Sequence, residues 1–179
     1  MKKLSTTTRL TVGAMAAALA VLFMYASSIV PSGKLVLCFL ASVVIWIPLN
    51  ERGGLPSAIL CYIAAGLLTL LLVPNRLYAL AYALFFGPYA FVKLGVDSLV
   101  KDRIIAFILK LIIMNALAAA VIWLGGLIVK QDLFTLLPEY PLYLIIPALE
   151  IAFILYELAF TFCIGVFDSR LRDALISKR

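Results

Sequence analysis

The sequence predicts an all-α integral membrane protein: one domain, built as a bundle of six transmembrane helices with both termini in the cytoplasm. Of its 179 residues, 65% are hydrophobic and only 13% are charged, and the mean hydropathy is +1.15. A soluble domain is about 45–50% apolar and about 25% charged. A soluble fold of this size has too much surface to cover with so few polar residues, so lipid must be the second solvent.

The apolar residues form six solid blocks, unlike the weak alternating pattern of a membrane β-barrel. Five blocks meet the length of about 20 residues that a helix needs to cross a bilayer. The block at 35–49 is short, but Lys34 and Asn50 can reach the interfaces from its ends, and a re-entrant hairpin is the alternative there. The predicted spans are 10–30, 35–49, 55–73, 77–96, 104–129 and 142–167.

Turn-forming or charged residues separate these blocks. The sequences Pro31-Ser32-Gly33 and Pro74-Asn75-Arg76 are typical of tight turns, as is the stretch 50–54. The stretch 97–103 is charged. The longest connection, 130–141, mixes leucine and phenylalanine with polar residues, and we expect it to lie as a short amphipathic piece over one mouth of the bundle.

Cations set the expected orientation. Only Lys34, Arg76 and Lys130 fall on one side of the six spans. The positive-inside rule therefore places the other side, with both termini, in the cytoplasm. We expect the membrane to be the cytoplasmic membrane of a prokaryote, which the chain crosses several times. A cleaved signal peptide is the alternative for the first span. The cations of the cytoplasmic side are Lys2, Lys3, Arg9, Arg52, Lys101, Arg103, Arg170, Arg172, Lys178 and Arg179.

Composition also excludes several function classes. The chain has no histidine, which removes serine–histidine triads and histidine metal sites. The cysteines Cys38, Cys61 and Cys163 lie in apolar blocks, too far apart for a C-x-x-C pair, and we expect them to be buried hydrophobes. No phosphate-binding G-x-x-x-x-G-K-[ST] loop is present, so a partner must hydrolyse any ATP. We expect no enzyme, no metal and no cofactor; a membrane-embedded enzyme that uses carboxylates is the catalytic alternative.

The net charge of +6 needs no nucleic acid partner, because cationic connections fix topology and contact anionic lipid of the bilayer.

Ionisable side chains inside the spans are costly in lipid and therefore mark candidate sites. Glu150 and Glu157 are seven residues apart, so they share one face of the sixth span, which Tyr143 extends toward the outside. We expect Glu150 to contact ligand or water. For Glu157 the alternatives are ligand contact and a structural clamp with Lys110 and Asn115 of the fifth span. The ionisable groups within spans are Lys93, Lys110, Glu150 and Glu157.

The fourth span carries an aromatic stripe. Its members Tyr78, Tyr82, Phe85 and Tyr89 recur at helical spacing, which fits either packing inside the bundle or a stacking wall for a flat ligand. Between them, Gly87-Pro88 predicts a kink. At the outer end of this span, Arg76 can meet a carboxylate or phosphate of an arriving ligand, or a lipid headgroup.

The first span carries small residues at four-residue spacing in three registers. They are Gly13/Ala17, Ala14/Ala18 and Ala16/Ala20. Small residues at this spacing let another helix approach closely in a membrane. The alternatives are packing within the bundle and a docking face for a separate membrane protein.

Six short spans, both termini inside, and a basic start followed by an alanine-rich A-x-x-x-A helix resemble the S components of energy-coupling factor (ECF) transporters. The resemblance implies that Ala14 and Ala18 contact a T-type transmembrane subunit and that ATPase subunits drive uptake. It also implies an outward-open pocket for a small molecule such as a vitamin or cofactor precursor. The absence of histidine counts against the nickel and cobalt branches.

Within that resemblance, residue type alone suggests the ligand contacts. The predicted substrate-binding residues are Arg76, Tyr78, Tyr82, Tyr89, Asn115, Tyr143 and Glu150. The main alternative is a non-catalytic membrane scaffold or assembly protein, in which buried charges such as Lys110 and Glu157 are structural clamps. An independent homo-oligomeric carrier is a further alternative.

Overall fold

The structure is a computed structural model that describes residues 6–50, 54–129 and 142–176; the side chains of 128–129, 142–146, 148, 168 and 170–176 lie outside that description. Every regular element among these residues is a helix. A five-residue π-helix, Tyr82–Phe86, interrupts the fourth span. The α-helices are α1 (Thr6–Ile29), α2 (Lys34–Leu49), α3 (Leu55–Leu72), α4 (Arg76–Ala81), α5 (Tyr89–Leu99), α6 (Arg103–Val129) and α7 (Leu142–Ile176).

The predicted all-helical class is confirmed, and five helical stretches in the described ranges are long and apolar enough to cross a membrane. The remaining apolar segment forms α2, one continuous helix of 16 residues. Helix bounds lie within a few residues of the predicted spans, except that α7 continues to Ile176. The number of crossings and the side on which the termini lie stay predictions. The five stretches are Thr6–Ile29, Leu55–Leu72, Arg76–Leu99, Arg103–Leu127 and Leu149–Phe167.

Helix α1 packs mainly against α2 and α3. A Cβ atom built on Gly13 of α1 would lie 2.8 Å from the Oγ of Ser57 in α3, so a side chain there would displace the Ser57 hydroxyl. The same Ser57 hydroxyl donates a 3.0 Å hydrogen bond to the carbonyl oxygen of Arg9. The buried face of α1 is Gly13, Ala16, Ala17, Ala20, Met24 and Ser27.

Two predicted turns are confirmed as helix connections. Gly33 takes a φ of +79°, a left-handed conformation that favours glycine, directly before α2. Asn75 caps α4, because its side-chain oxygen accepts from the backbone N–H groups of Leu77 and Tyr78 at 3.1 Å and 3.4 Å. Residues 51–53 and the predicted amphipathic piece at 130–141 lie outside the described residues.

The chain divides into two compact units, Met1–Leu133 and Phe134–Arg179. The first contains α1 to α6, and the second contains α7. Cys38 and Cys61 are buried in the first unit, Cys163 of α7 is half-buried, and all three are free thiols. Fully buried residues of the first unit include Ala20, Met24, Ala41, Ile45, Ala58, Ala65, Tyr82 and Tyr89.

Candidate functional site

The fourth span is interrupted where the sequence predicts a kink. The backbone N–H of Gly87 donates to the carbonyl oxygen of Tyr82 at 2.7 Å, five residues back, which is the π-helical pattern. Pro88 has no N–H to offer. The carbonyl oxygen of Ala83 thus loses the donor that an unbroken α-helix would give it.

Side chains of α2 and α3 hydrogen-bond to backbone at this interruption. The Tyr62 hydroxyl donates to the carbonyl oxygen of Ala83 at 2.5 Å. The Ser42 hydroxyl donates to the carbonyl oxygen of Phe86 at 2.5 Å. A backbone group left unpaired in lipid costs several kcal/mol, so the Tyr62 contact allows the π-helix to exist inside a membrane.

Glycine is required at position 87 because neighbouring atoms leave no room for a side chain. A Cβ atom built on it would lie 2.6 Å from the Tyr62 Cε2 and 2.9 Å from the Tyr82 carbonyl oxygen. The Tyr62 ring also packs edge-on against Phe91 of α5, with 5.7 Å between ring centroids. The tyrosine of α3 therefore rests directly on the backbone of the interrupted span.

The aromatic stripe of the fourth span does not lie on one uniform face. Tyr82 and Tyr89 are fully buried, whereas Tyr78 and Phe85 are half-buried. Each hydrogen bond of a π-helix spans five residues instead of four, so a spacing that assumes an unbroken α-helix fails across it. The buried rings have the position that bundle packing requires, and their contact with a flat ligand stays a prediction.

Predicted ligand contacts Arg76 and Tyr78 lie at one end of the first unit, beside the start of α2. The Arg76 Nη1 donates to the carbonyl oxygen of Leu70 at 3.0 Å, near the end of α3. The Lys34 Nζ lies 5.6 Å from the centroid of the Tyr78 ring, a cation–π distance. Because a guanidinium has five N–H donors, Arg76 can hold this bond and still meet an anion.

A charged cluster occupies the opposite end, between α5 and α6. Lys93 and Lys110 are only 7% and 5% exposed, and both reach the carboxylate of Asp97. The Lys110 Nζ lies 3.0 Å from the Asp97 Oδ1, and the Lys93 Nζ lies 3.6 Å from the Asp97 Oδ2. The Asp97 side chain itself is 45% exposed. This lysine cluster (Lys93, Asp97 and Lys110) joins α5 to α6, and Asp97 is its exposed member.

Asp97 was not among the predicted site residues, because it falls in the stretch 97–103, which the sequence predicts to be a charged connection. The structure places Asp97 inside α5, where the spacing of four residues from Lys93 puts both on one face. That spacing was the available signal.

Candidate residues of α7 are distributed along one helix. Glu157 is buried and Glu150 is half-buried. Tyr143 belongs to α7, but its side chain lies outside the described residues, and Asn115 is exposed on α6. Ligand contact by Glu150, Tyr143 and Asn115, and the clamp between Glu157 and Lys110, stay predictions.

The three small-residue registers of α1 divide into two kinds. Gly13, Ala16, Ala17 and Ala20 are buried, so two registers serve packing within the first unit. Ala14 and Ala18 are exposed, one turn apart. Bulkier exposed residues, including Met15 and Leu22, lie beside them. The exposed pair forms a shallow groove that the first unit leaves uncovered.

Comparison with known proteins gives no family: no protein-family model, no curated protein and no solved structure matches the chain. Among the side chains that the structure describes there is also no group of three or more histidine, cysteine, aspartate or glutamate residues able to hold a metal ion. The geometry of the helices must therefore carry the functional conclusion.

Proposed function

We propose that this chain is the substrate-binding subunit of an ECF-type importer. In this proposal it captures a small molecule such as a vitamin or cofactor precursor in the membrane. A T-type transmembrane subunit docks on α1, and separate ATPase subunits supply the energy. The observation that carries the proposal is the exposure of Ala14 and Ala18 on a helix whose other face is packed.

The exposed alanine pair has the chemistry that a partner helix needs. Lipid tails are as apolar as leucine, so close van der Waals packing is a main contribution to helix association in a membrane. Methyl-sized side chains permit that close approach. The pair lies in the first half of α1, shortly after Arg9, at the end of the helix that the cation count assigns to the cytoplasm. An ATPase-bearing complex would approach from that side.

The opposite end of the first unit supports ligand capture. Arg76 and Tyr78 combine a guanidinium with an aromatic ring at one end of the fourth span, and Lys34 adds a second cation. Such a set of few polar groups beside apolar surface is typical of a small-molecule site. The two cations favour a ligand that carries a carboxylate or a phosphate.

Replacing Ala14 and Ala18 together with leucine tests the proposal. The double variant fills the groove with apolar atoms, so we expect it to insert and melt like the wild type. It should also retain small molecules that co-purify in mild detergent, as measured by mass spectrometry. It should fail to co-purify with the transmembrane and ATPase subunits, and uptake of the identified molecule should be lost.

A matched control adds the same atoms elsewhere. Ala116 and Ala119 are exposed on α6, and their double replacement with leucine should leave both complex formation and uptake intact. If the α1 groove instead packs within the protein, the Ala14/Ala18 variant should lose roughly 1–3 kcal/mol of stability by overpacking. A stable Ala14/Ala18 variant with full uptake would refute the docking role.

The lysine cluster favours a second candidate function, a non-catalytic membrane scaffold whose buried charges hold helices together. The Lys110 contact with Asp97 is a clamp of this kind, since it joins α6 to α5. A scaffold requires no ligand. Wild-type protein that purifies in mild detergent with partner proteins but with no bound small molecule would favour the scaffold over the importer subunit.

A further inference from the structure

Gly66 of α3 is a buried glycine that no neighbouring atom crowds. A Cβ atom built on it would meet nothing within 4 Å among the described residues, although the residue itself is buried. The buried glycines Gly13 and Gly87 differ, because a Cβ atom there would lie 2.8 Å and 2.6 Å, respectively, from the nearest side-chain atom. Neighbouring atoms occupy the side-chain position at those two glycines, whereas Gly66 leaves a space that no described residue fills.

Thr69 lies one turn further along the same face of α3. Residues three apart in a helix are neighbours on its surface, so Gly66 and Thr69 lie side by side. The Thr69 side chain is 0% exposed, and its Oγ1 has no hydrogen-bond partner within the part of the chain that the structure describes. A buried hydroxyl costs free energy unless it is hydrogen-bonded. A hydrogen-bonding group in the neighbouring space would remove that cost.

The fourth span provides acceptors at the depth of Thr69. Helices α3 and α4 pack against each other, and Thr69 and Ala79 are each three residues from their facing ends, about 4.5 Å along each axis. The backbone N–H of Tyr82 is shared between the carbonyl oxygens of Tyr78 and Ala79. A carbonyl oxygen has two lone pairs, so each of these can accept a further hydrogen bond. A group bound at Thr69 therefore has backbone acceptors at its own depth.

The structure assigns the space beside Gly66 as a binding site for one hydrogen-bonding group of about the size of water, held by the Thr69 hydroxyl. One source of this group is water, which commonly satisfies buried polar groups, and Thr69 is only one turn from the end of α3. The other source is the polar tip of a bound small molecule. The site does not depend on the importer proposal, because a scaffold could hold a water molecule there equally well.

A double-mutant cycle on the full chain tests the site, with thermal melting in detergent as the measurement. Gly66→Ala fills the space, and Thr69→Val removes the hydroxyl that the bound group satisfies. No described atom lies within 4 Å of the added methyl group. The two substitutions should therefore influence each other only through a group bound between them.

The sign of the Gly66→Ala effect should depend on Thr69. With Thr69 present, the methyl group displaces the bound group and leaves the hydroxyl unpaired, so we expect no rise in melting temperature. With Thr69→Val, the same substitution should raise it by about 2–4 °C, because alanine favours helix over glycine. An equal rise in both backgrounds would mean that the space holds nothing and would overturn the site. No rise in either would mean that the space rejects a methyl group, which also overturns it.

Gly95→Ala is the matched control. A Cβ atom on Gly95 also meets nothing within 4 Å among the described residues, and Gly95 belongs to α5. It should raise the melting temperature equally with Thr69 and with Thr69→Val. If Gly95→Ala depends on Thr69 as Gly66→Ala does, the coupling does not come from the space, and the proposal is overturned.

Mass spectrometry of co-purifying small molecules distinguishes the two sources. A molecule that is present in the wild type and in Gly95→Ala, but lost from both Gly66→Ala and Thr69→Val, would supply the hydrogen-bonding group itself. Equal content in all four proteins, or no small molecule in the wild type, would assign the group to water. The second outcome would count against the importer proposal while leaving the site intact.

An experimental structure at a resolution that shows water decides the question without any variant. A density peak should lie beside Gly66, about 2.5–3.0 Å from the Thr69 Oγ1, the distance of a hydrogen bond between oxygen atoms. A Thr69 hydroxyl that donates to the α3 backbone, with no density beside Gly66, would overturn the site.

Discussion

The hydroxyl of Tyr62 donates to the carbonyl oxygen of Ala83 at 2.5 Å and thereby joins α3 to the π-helix of the fourth span. The contact replaces the bond that Gly87 would make in an unbroken helix, since the Gly87 N–H goes to Tyr82 instead. A phenol on one helix thus permits an irregular backbone on another. The fourth span depends on a residue 21 positions earlier in the chain.

Replacing Tyr62 with phenylalanine should destabilise the protein. The change removes only the hydroxyl and leaves the Ala83 carbonyl without its side-chain donor, so we expect a loss of about 0.5–2 kcal/mol, the range for hydrogen bonds between membrane helices. Thermal melting in detergent measures it. Tyr25→Phe is the control, because Tyr25 is exposed on α1. Equal melting of the two variants would contradict the role given to Tyr62.

Replacing Gly87 with alanine should destabilise the protein by overpacking. The new methyl group would lie 2.6 Å from the Tyr62 ring and 2.9 Å from backbone oxygen, so the cost should be about 1–3 kcal/mol. Gly95→Ala makes the same change on α5, where nothing lies within 4 Å of the added atom. We expect that control to melt at or above the wild-type temperature, because alanine favours helix over glycine. The idea fails if both variants melt alike.

Cysteine labelling checks the orientation that the cations predict. In a chain whose native cysteines are replaced by alanine, an impermeant thiol reagent should label Asn75→Cys and Thr135→Cys in intact cells. It should label Val100→Cys only after the membrane is opened. Labelling of Val100→Cys in intact cells would reverse the predicted topology.

The two glutamates of α7 should respond differently to removal of their charge. Glu150→Gln should reduce the amount of small molecule that co-purifies while leaving the yield of folded protein nearly unchanged. Glu157→Gln should instead lower stability by about 0.5–2 kcal/mol if Glu157 is a clamp. Normal ligand content and early melting of Glu150→Gln would exchange the two roles.

Much of the fold was readable from the sequence, because helix length and hydrophobicity report directly on the requirement to cross lipid. The helix bounds and the turn at Gly33 follow from apolar blocks and turn chemistry. The π-helix did not follow, since its carbonyl is satisfied by Tyr62 from another helix, and no local pattern contains that contact. The sequence pointed only to its place, at Gly87-Pro88.

The candidate sites were less predictable, because they depend on which face of a helix is covered. Three small-residue registers of α1 look equivalent in the sequence, and only packing against α2 and α3 distinguishes Ala14 and Ala18 from the rest. The pairing of Lys110 with Asp97 required the close approach of α5 and α6. The sequence pointed instead to a clamp between Lys110 and Glu157, which stays a prediction.

Because α1 packs against α2 and α3, its partners are also the next segments to leave the ribosome. The contact between Gly13 and Ser57 spans a short stretch of chain, so it can form while the rest is still being translated. Tyr62 is likewise synthesised before Ala83 and Gly87. The order of synthesis thus places the Tyr62 hydroxyl before the irregular segment whose Ala83 carbonyl oxygen accepts from it. The donor is therefore available as soon as that carbonyl reaches the membrane.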